Sequence, residues 1–215
     1  MLEIIETRSQ RMEDSDFESL LHWTTINPSL RDLHDALAIT GYTGLRPGEL
    51  TQLRWNDVSF EHRNLTVRNG PFGCRRVPFA EKTRAVLVAR RDRHPDAEFV
   101  FGPAPTRSGS RLGKQLRSLT NELDIRPSTF SALRHRFAFR LFEMAECVPT
   151  TCYILGHRTP TMYSGWTPNA EQMFESAARL VAKLEGEASE TPRHLSPPIK
   201  VEDGYPNCTN GGIDY

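Results

Sequence analysis

Thr43-Gly44-Leu45-Arg46-Pro47-Gly48-Glu49-Leu50 reads as a turn that opens a helix and carries a cation at the junction. Gly44 closes the apolar segment before it, whose Leu30, Leu33, Ala36, Leu37 and Ile39 fall at near-helical spacing. Pro47 suits a first helical turn, because the N–H it lacks is one the helix leaves unpaired anyway. The helix it opens is expected to run toward Trp55. Arg46 therefore stands where free backbone N–H groups favour an anion. Glu49, three residues on, is placed to orient Arg46 through a charge-assisted hydrogen bond.

Working outward, Asp14–Thr24 predicts a helix capped by Asp14 or Ser15, with Phe17, Leu20, Leu21 and Trp23 as its apolar positions. Leu65–Arg68 and Arg76–Phe79 predict two strands joined by a Gly- and Pro-containing loop, Asn69 to Gly73. Helices follow near 80–92 and 110–123, with a short Phe99-Val100-Phe101 strand between them. Thr129–Met144 is the clearest downstream helix, capped by Ser128 or Thr129, and shorter helices fall near 149–155 and 169–184. The expected fold is mainly α with a small antiparallel sheet, an α+β class. Residues 10–184 form its one domain, after an extension over residues 1–9. Residues 185–215 are acidic and rich in Pro, Gly and Ser, and read as a disordered tail.

The bulk properties narrow the classes. A hydrophobic share of 38% in 215 residues is enough for a real core, which argues against wholesale disorder. No apolar run approaches the roughly 20 residues of a membrane span, and the first ten residues do not read as a signal peptide. A cytoplasmic protein with no membrane partner is expected. Cys74, Cys147, Cys152 and Cys208 form no CxxC pair and have no His at ligand spacing, so neither a metal site nor a disulfide framework is expected.

The net charge of zero hides an uneven distribution. Residues 1–20 and residues 185–215 each carry six acids and two bases. Removing both ends from 27 bases and 27 acids leaves 23 against 15 in the middle, a net of +8. Arginine supplies 23 of the 27 bases, and its planar fork suits phosphate. Codon bias accounts for such a ratio equally well, so the charge permits DNA binding without establishing it.

Two further segments give the opening stretch its meaning: Ala132-Leu133-Arg134-His135-Arg136-Phe137-Ala138 and Leu155-Gly156-His157. In order and spacing, the three resemble the signature boxes of the tyrosine recombinases, the phage integrase family. A lone TGLR turn is weak, but Glu49-Leu50, Leu53 and Trp55-Asn56-Asp57 extend the match. The resemblance spans residues 10–184. It implies the DNA breaking-rejoining fold and strand cleavage through a phosphotyrosine, with double-stranded DNA as partner and no metal or small-molecule cofactor. It implies that Arg46 and Arg134 neutralise the scissile phosphate and that His157 hydrogen-bonds it and assists proton transfer. Arg75, Arg76, Arg136 and Arg158 are the further candidates for DNA contact. The family's last helix packs on a neighbouring protomer, which points to a homo-oligomer or a partner recombinase engaged through Phe174, Ala177, Ala178, Leu180 and Val181.

The chain also departs from that pattern. No room remains ahead of residue 10 for the family's helical DNA-clamping domain. Ser131 stands where the second box begins with His or Lys. The loop Asn69–Arg76 holds no lysine, and Arg75, though able to reach a phosphate, has too high a pKa to donate a proton readily. The nucleophile position, nine residues beyond His157, is Trp166, which fills a tyrosine-shaped space without a hydroxyl. Tyr163 is the one candidate to replace it. The expected function is therefore a DNA-binding member of the family that is catalytically impaired. The alternatives are an active site-specific recombinase using Tyr163, and a protein-interaction or regulatory module that keeps only the fold.

Overall fold

The computed structural model describes residues 11–70, 73–102, 105–126, 129–144, 148–157 and 170–186. Among them are eight α-helices and one small sheet: α1 (Asp14–Ile26), α2 (Arg31–Thr43), α3 (Pro47–Gln52), β1 (Val58–Ser59), β2 (Asn64–Gly70), β3 (Gly73–Pro78), α4 (Glu81–Arg93), α5 (Pro105–Glu122), α6 (Phe130–Met144), α7 (Val148–Leu155) and α8 (Ala170–Glu185). The fold class is the mainly helical one with a small antiparallel sheet that the sequence predicts. The sheet runs β1-β2-β3, with Val58 opposite Leu65 and Leu65 opposite Val77. Leu65, Val67 and Val77 turn inward, so one face of the hairpin packs on the helices.

Helix α2 is the centre. From Asp35 to Thr43 every residue is buried, as expected of a helix enclosed on all sides. Its Leu33, Leu37 and Ile39 share one core with Phe17 and Leu20 of α1, Leu116 of α5, and Leu133 and Phe137 of α6. Gly44 ends α2 in the left-handed region at φ 67°. A Cβ there would lie 2.2 Å from the Phe137 ring, so glycine is required by the backbone and by the packing alike.

The carboxylates of α2, buried Asp35 and partly exposed Asp32, are held by arginines. Arg90 Nη1 donates to Asp32 at 2.9 Å and to Asp35 at 2.8 Å. Arg93 reaches Asp35 at 2.6 Å, and Arg111 pairs with Asp32. This brace ties α2, α4 and α5 together.

Several elements differ from expectation. Helix α3 ends at Gln52, and Trp55–Asp57 is a separate 3₁₀ turn. The segment at 99–101 forms a single bridge, Arg54 to Phe99, because Val100 and Phe101 are both buried and the alternation of a strand is lost. Helix α5 begins at Pro105 rather than near 110. The α1 cap position is Glu13, and α6 is capped by Thr129, whose Oγ1 accepts from the Ala132 N–H at 3.1 Å.

Helix α8, the expected partner-facing helix, packs against its own chain at three of the five positions named for it. Phe174, Ala177 and Val181 are buried in the chain's own core. Arg76 pairs with Glu171 at 2.6 Å and lies 4.4 Å from the Phe174 ring centroid. At the other end, the Glu185 carboxylate accepts from the Lys82 N–H at 2.6 Å and the Thr83 hydroxyl at 3.1 Å. A carboxylate at the start of α4 is well placed against its positive end. Ala178 and Leu180, the other two apolar residues of the α8 face, stay partly exposed.

Candidate functional site

The site is organised by the carboxyl end of α7. Gly156 is left-handed at φ 58°. Its N–H donates to the Tyr153 carbonyl at 3.1 Å, and the His157 N–H to the Cys152 carbonyl at 2.9 Å. These two bonds make a Schellman motif, which satisfies the Cys152 and Tyr153 carbonyls and leaves the next three open. Each of those three accepts from a different arginine. Arg75 Nε donates to Ile154 O at 3.1 Å, Arg134 Nη2 to Leu155 O at 2.6 Å, and Arg46 Nη2 to Gly156 O at 3.3 Å. The cap residue of α3 and residues of β3 and α6 thus meet at the negative end of one helix dipole.

Arg134 is 7% exposed. Its second acceptor is the Gly44 carbonyl at the end of α2, 2.5 Å from Nη1. Burial lowers its pKa to about 10, the charge of Arg46 adding to the effect and Glu49 opposing it. It remains a cation at neutral pH, held by carbonyl dipoles that leave its charge uncancelled. His157 Nε2 lies 3.2 Å from Arg134 Nη2. With that N–H donating, Nε2 is the acceptor and the ring proton sits on Nδ1. The imidazole pKa falls to about 4, first through desolvation of its inner edge and then through the charges of Arg134, Arg46 and Arg75. Its outer face stays exposed.

Among the described residues, Glu49 is the one carboxylate bound to these arginines. Oε1 accepts from Arg75 Nη1 at 2.8 Å and Arg46 Nη1 at 3.2 Å. Oε2 accepts from Arg75 Nη2 at 2.9 Å and the Arg46 N–H at 2.8 Å. Burial alone would raise the Glu49 pKa, but the bonds and charge of Arg75, with those of Arg46, hold it below the usual carboxylate value. The orienting bond expected between Glu49 and Arg46 is present. The helix-start anion site is not free, because Glu49 itself takes the Arg46 N–H.

The structure brings together Arg46, Arg134 and His157, with Arg75 beside them. Arg75 does not stand as a free phosphate ligand: it is 7% exposed, and all three of its guanidinium nitrogens have acceptors within the protein. Arg136 is corrected more sharply. It is 2% exposed, lies 4.0 Å from the Phe17 ring centroid and pairs with Asp14 at 2.6 Å. Two residues on from Arg134, it falls on another face of α6, where it anchors α1. Arg76 is engaged with α8. Ser131 is exposed on the first turn of α6. Arg158, Tyr163 and Trp166 lie outside the described residues.

Sequence reasoning missed the carbonyls of Ile154, Leu155 and Gly156. Their signal was the Leu155-Gly156-His157 stretch, since a glycine closing a helix marks which carbonyls go unpaired. Beside Arg46 a groove runs between α3 and β2, lined by Gln52, Arg54, Arg68, Asn69 and Phe99. No helix among the described residues is long and apolar enough to cross a membrane.

Known proteins share this fold. A curated relative from Caldanaerobacter subterraneus subsp. tengcongensis, a tyrosine recombinase XerC-like protein, is 25% identical over 54% of this chain and 40% of its own length. The crystal structure of XerA recombinase superposes with a TM-score of 0.60 at 22% identity, covering 79% of this chain and 65% of that one. The Tn1549 transposon integrase in complex with circular intermediate DNA gives 0.58 at 22% identity, over 83% and 64%. The chain thus spans less than two thirds of each of these proteins. The phage integrase family model matches residues 10–173, which take in α1 to α7 and the whole arginine cluster, and the chain belongs to that family.

Proposed function

We propose that this chain is a tyrosine-recombinase domain that grips the DNA backbone through Arg46, Arg134 and His157 and has lost strand cleavage. The observation that carries the reading is the charge held at the end of α7. Three guanidinium groups converge there around Glu49, and Arg134 is held by two backbone carbonyls and no carboxylate among the described residues. Such a cluster keeps a net positive charge and attracts a phosphodiester. Arg54 and Arg68 line the adjacent groove, each paired with a carboxylate, Glu98 and Asp57.

Loss of cleavage is supported by what the cluster lacks. Trp166 occupies the family's nucleophile position, and the hairpin carries no lysine. Arg75, the nearest substitute cation, is locked on Glu49. Each absent group costs orders of magnitude in rate.

Fluorescence anisotropy on duplex DNA tests the binding. Affinity is expected to fall steeply between about 50 and 200 mM salt. No affinity, or affinity indifferent to salt, overturns the reading. A nicked suicide duplex tests the chemistry, and no covalent adduct is expected. An adduct lost in Tyr163→Phe but kept in Trp166→Phe would instead establish an active recombinase.

A further inference from the structure

We infer that Arg75 is a positioning residue for phosphate binding: without touching DNA it holds Glu49 and the end of α7, so that Arg46 faces outward. The inference rests on the phosphate-binding reading above.

Glu49 has two cationic partners that it holds unequally. Arg75 bonds it twice, at 2.8 and 2.9 Å, in the parallel fork that gives arginine–carboxylate pairs their strength. Arg46 reaches it with one longer side-chain bond at 3.2 Å, and the Arg46 side chain is 27% exposed. Arg75 therefore absorbs most of the carboxylate's charge and leaves the Arg46 guanidinium loosely tethered at the surface. Without Arg75, a buried carboxylate would face Arg46 alone and draw it inward.

The remaining nitrogen of Arg75 fixes the other half of the site. Nε on Ile154 O ties β3 to the turn whose next two carbonyls hold Arg134 and Arg46. Gly156 makes this fit possible, because a Cβ there would lie 2.8–2.9 Å from the guanidinium. Three nitrogens with three acceptors require arginine, since the single ammonium of lysine cannot span Glu49 and Ile154 O together.

The test is anisotropy of the full chain on labelled duplex DNA across a salt series, for the wild type, Arg75→Met, Arg75→Lys and the double variant Arg75→Met/Glu49→Gln. Thermal melts check that each folds. Arg75→Met is expected to lose about tenfold in affinity, with a salt slope shallower by about 0.9, the signature of one phosphate contact. Arg75→Lys, still charged against Glu49 but without the bond to Ile154 O, keeps the wild-type slope and loses part of the affinity; a slope as shallow as that of Arg75→Met overturns the inference. The double variant recovers the slope, because no buried carboxylate is left to capture Arg46. A slope that stays shallow in the double variant overturns the inference and makes Arg75 a direct phosphate ligand. Unchanged binding in Arg75→Met overturns it as well, as does lost affinity that follows the melting temperature at constant slope. Where Arg75→Met does not fold, the slope of the double variant against wild type decides in the same way. A wild-type chain with no DNA affinity sinks the phosphate-binding reading itself.

Discussion

The chain builds two arginine clusters that differ in the acceptors of their most buried member. In the brace between α2, α4 and α5, Arg90, Arg93 and Arg111 each bond a carboxylate, Asp32 or Asp35. At the end of α7, Arg46 and Arg75 share Glu49, while Arg134 bonds no carboxylate among the described residues; its partners are the Gly44 and Leu155 carbonyls and His157. A carboxylate cancels a guanidinium charge, whereas a carbonyl holds the group in place and leaves its charge available. Burial is similar, with Arg90 at 3% and Arg134 at 7% exposed, so exposure alone does not tell a brace from a site. The identity of the acceptors does.

The largest way to break this contrast is at the brace. Asp35→Ala leaves the buried Arg90 short of one carboxylate and Arg93 without its partner, and is expected to cost about 3–5 kcal/mol of unfolding free energy by denaturant titration. DNA affinity measured on the folded fraction should not change. Arg134→Met attacks the other cluster. It is expected to cost about 2 kcal/mol of binding, roughly thirtyfold in affinity, with a smaller change in stability. If Arg134→Met cost stability and left binding intact, the two clusters would be the same kind of object.

A smaller effect is expected from Gly156→Ala, about 1–2 kcal/mol of stability from the left-handed backbone, read by thermal melting. The added Cβ also displaces Arg75, so DNA affinity should fall with it. Gly156→Asn, which tolerates the backbone but still carries a Cβ, separates the two contributions.

The gentlest probe is pH. His157 in the free protein is neutral until about pH 4, below its unfolded value of 6.5. Between those values the unfolded chain binds the extra proton, so this residue favours unfolding as pH falls from 6.5 toward 4. A bound phosphate adds negative charge beside the ring and raises its pKa, so DNA binding should take up a proton and tighten as pH drops from 7 to 5. The comparison is with His157→Asn, in which that part of the pH dependence disappears.

Where local chemistry decides structure, the sequence was legible. Apolar spacing marked α2 and α6, and Pro47 marked the start of α3. Leu65 and Val77 marked paired strands, and Glu49 at three residues from Arg46 marked their bond. Less legible were elements set by their surroundings. The two-residue β1 exists only because β2 lies beside it, and the 99–101 segment is bent by the burial of both Val100 and Phe101. Arg136 looked like its neighbour Arg134 in sequence, and only the packing of α1 against α6 separated them.

By itself, the sequence determined the helices, the hairpin, the family and the residue types at the cluster, because spacing, turn chemistry and box order are local properties of the chain. Only the tertiary structure decided which arginines keep their charge. That depends on acceptors far away in sequence: Arg75 on Glu49 and Ile154, Arg134 on Gly44 and Leu155, Arg46 on Gly156. Backbone carbonyls are present at every residue, so no sequence pattern announces which of them a fold will leave open.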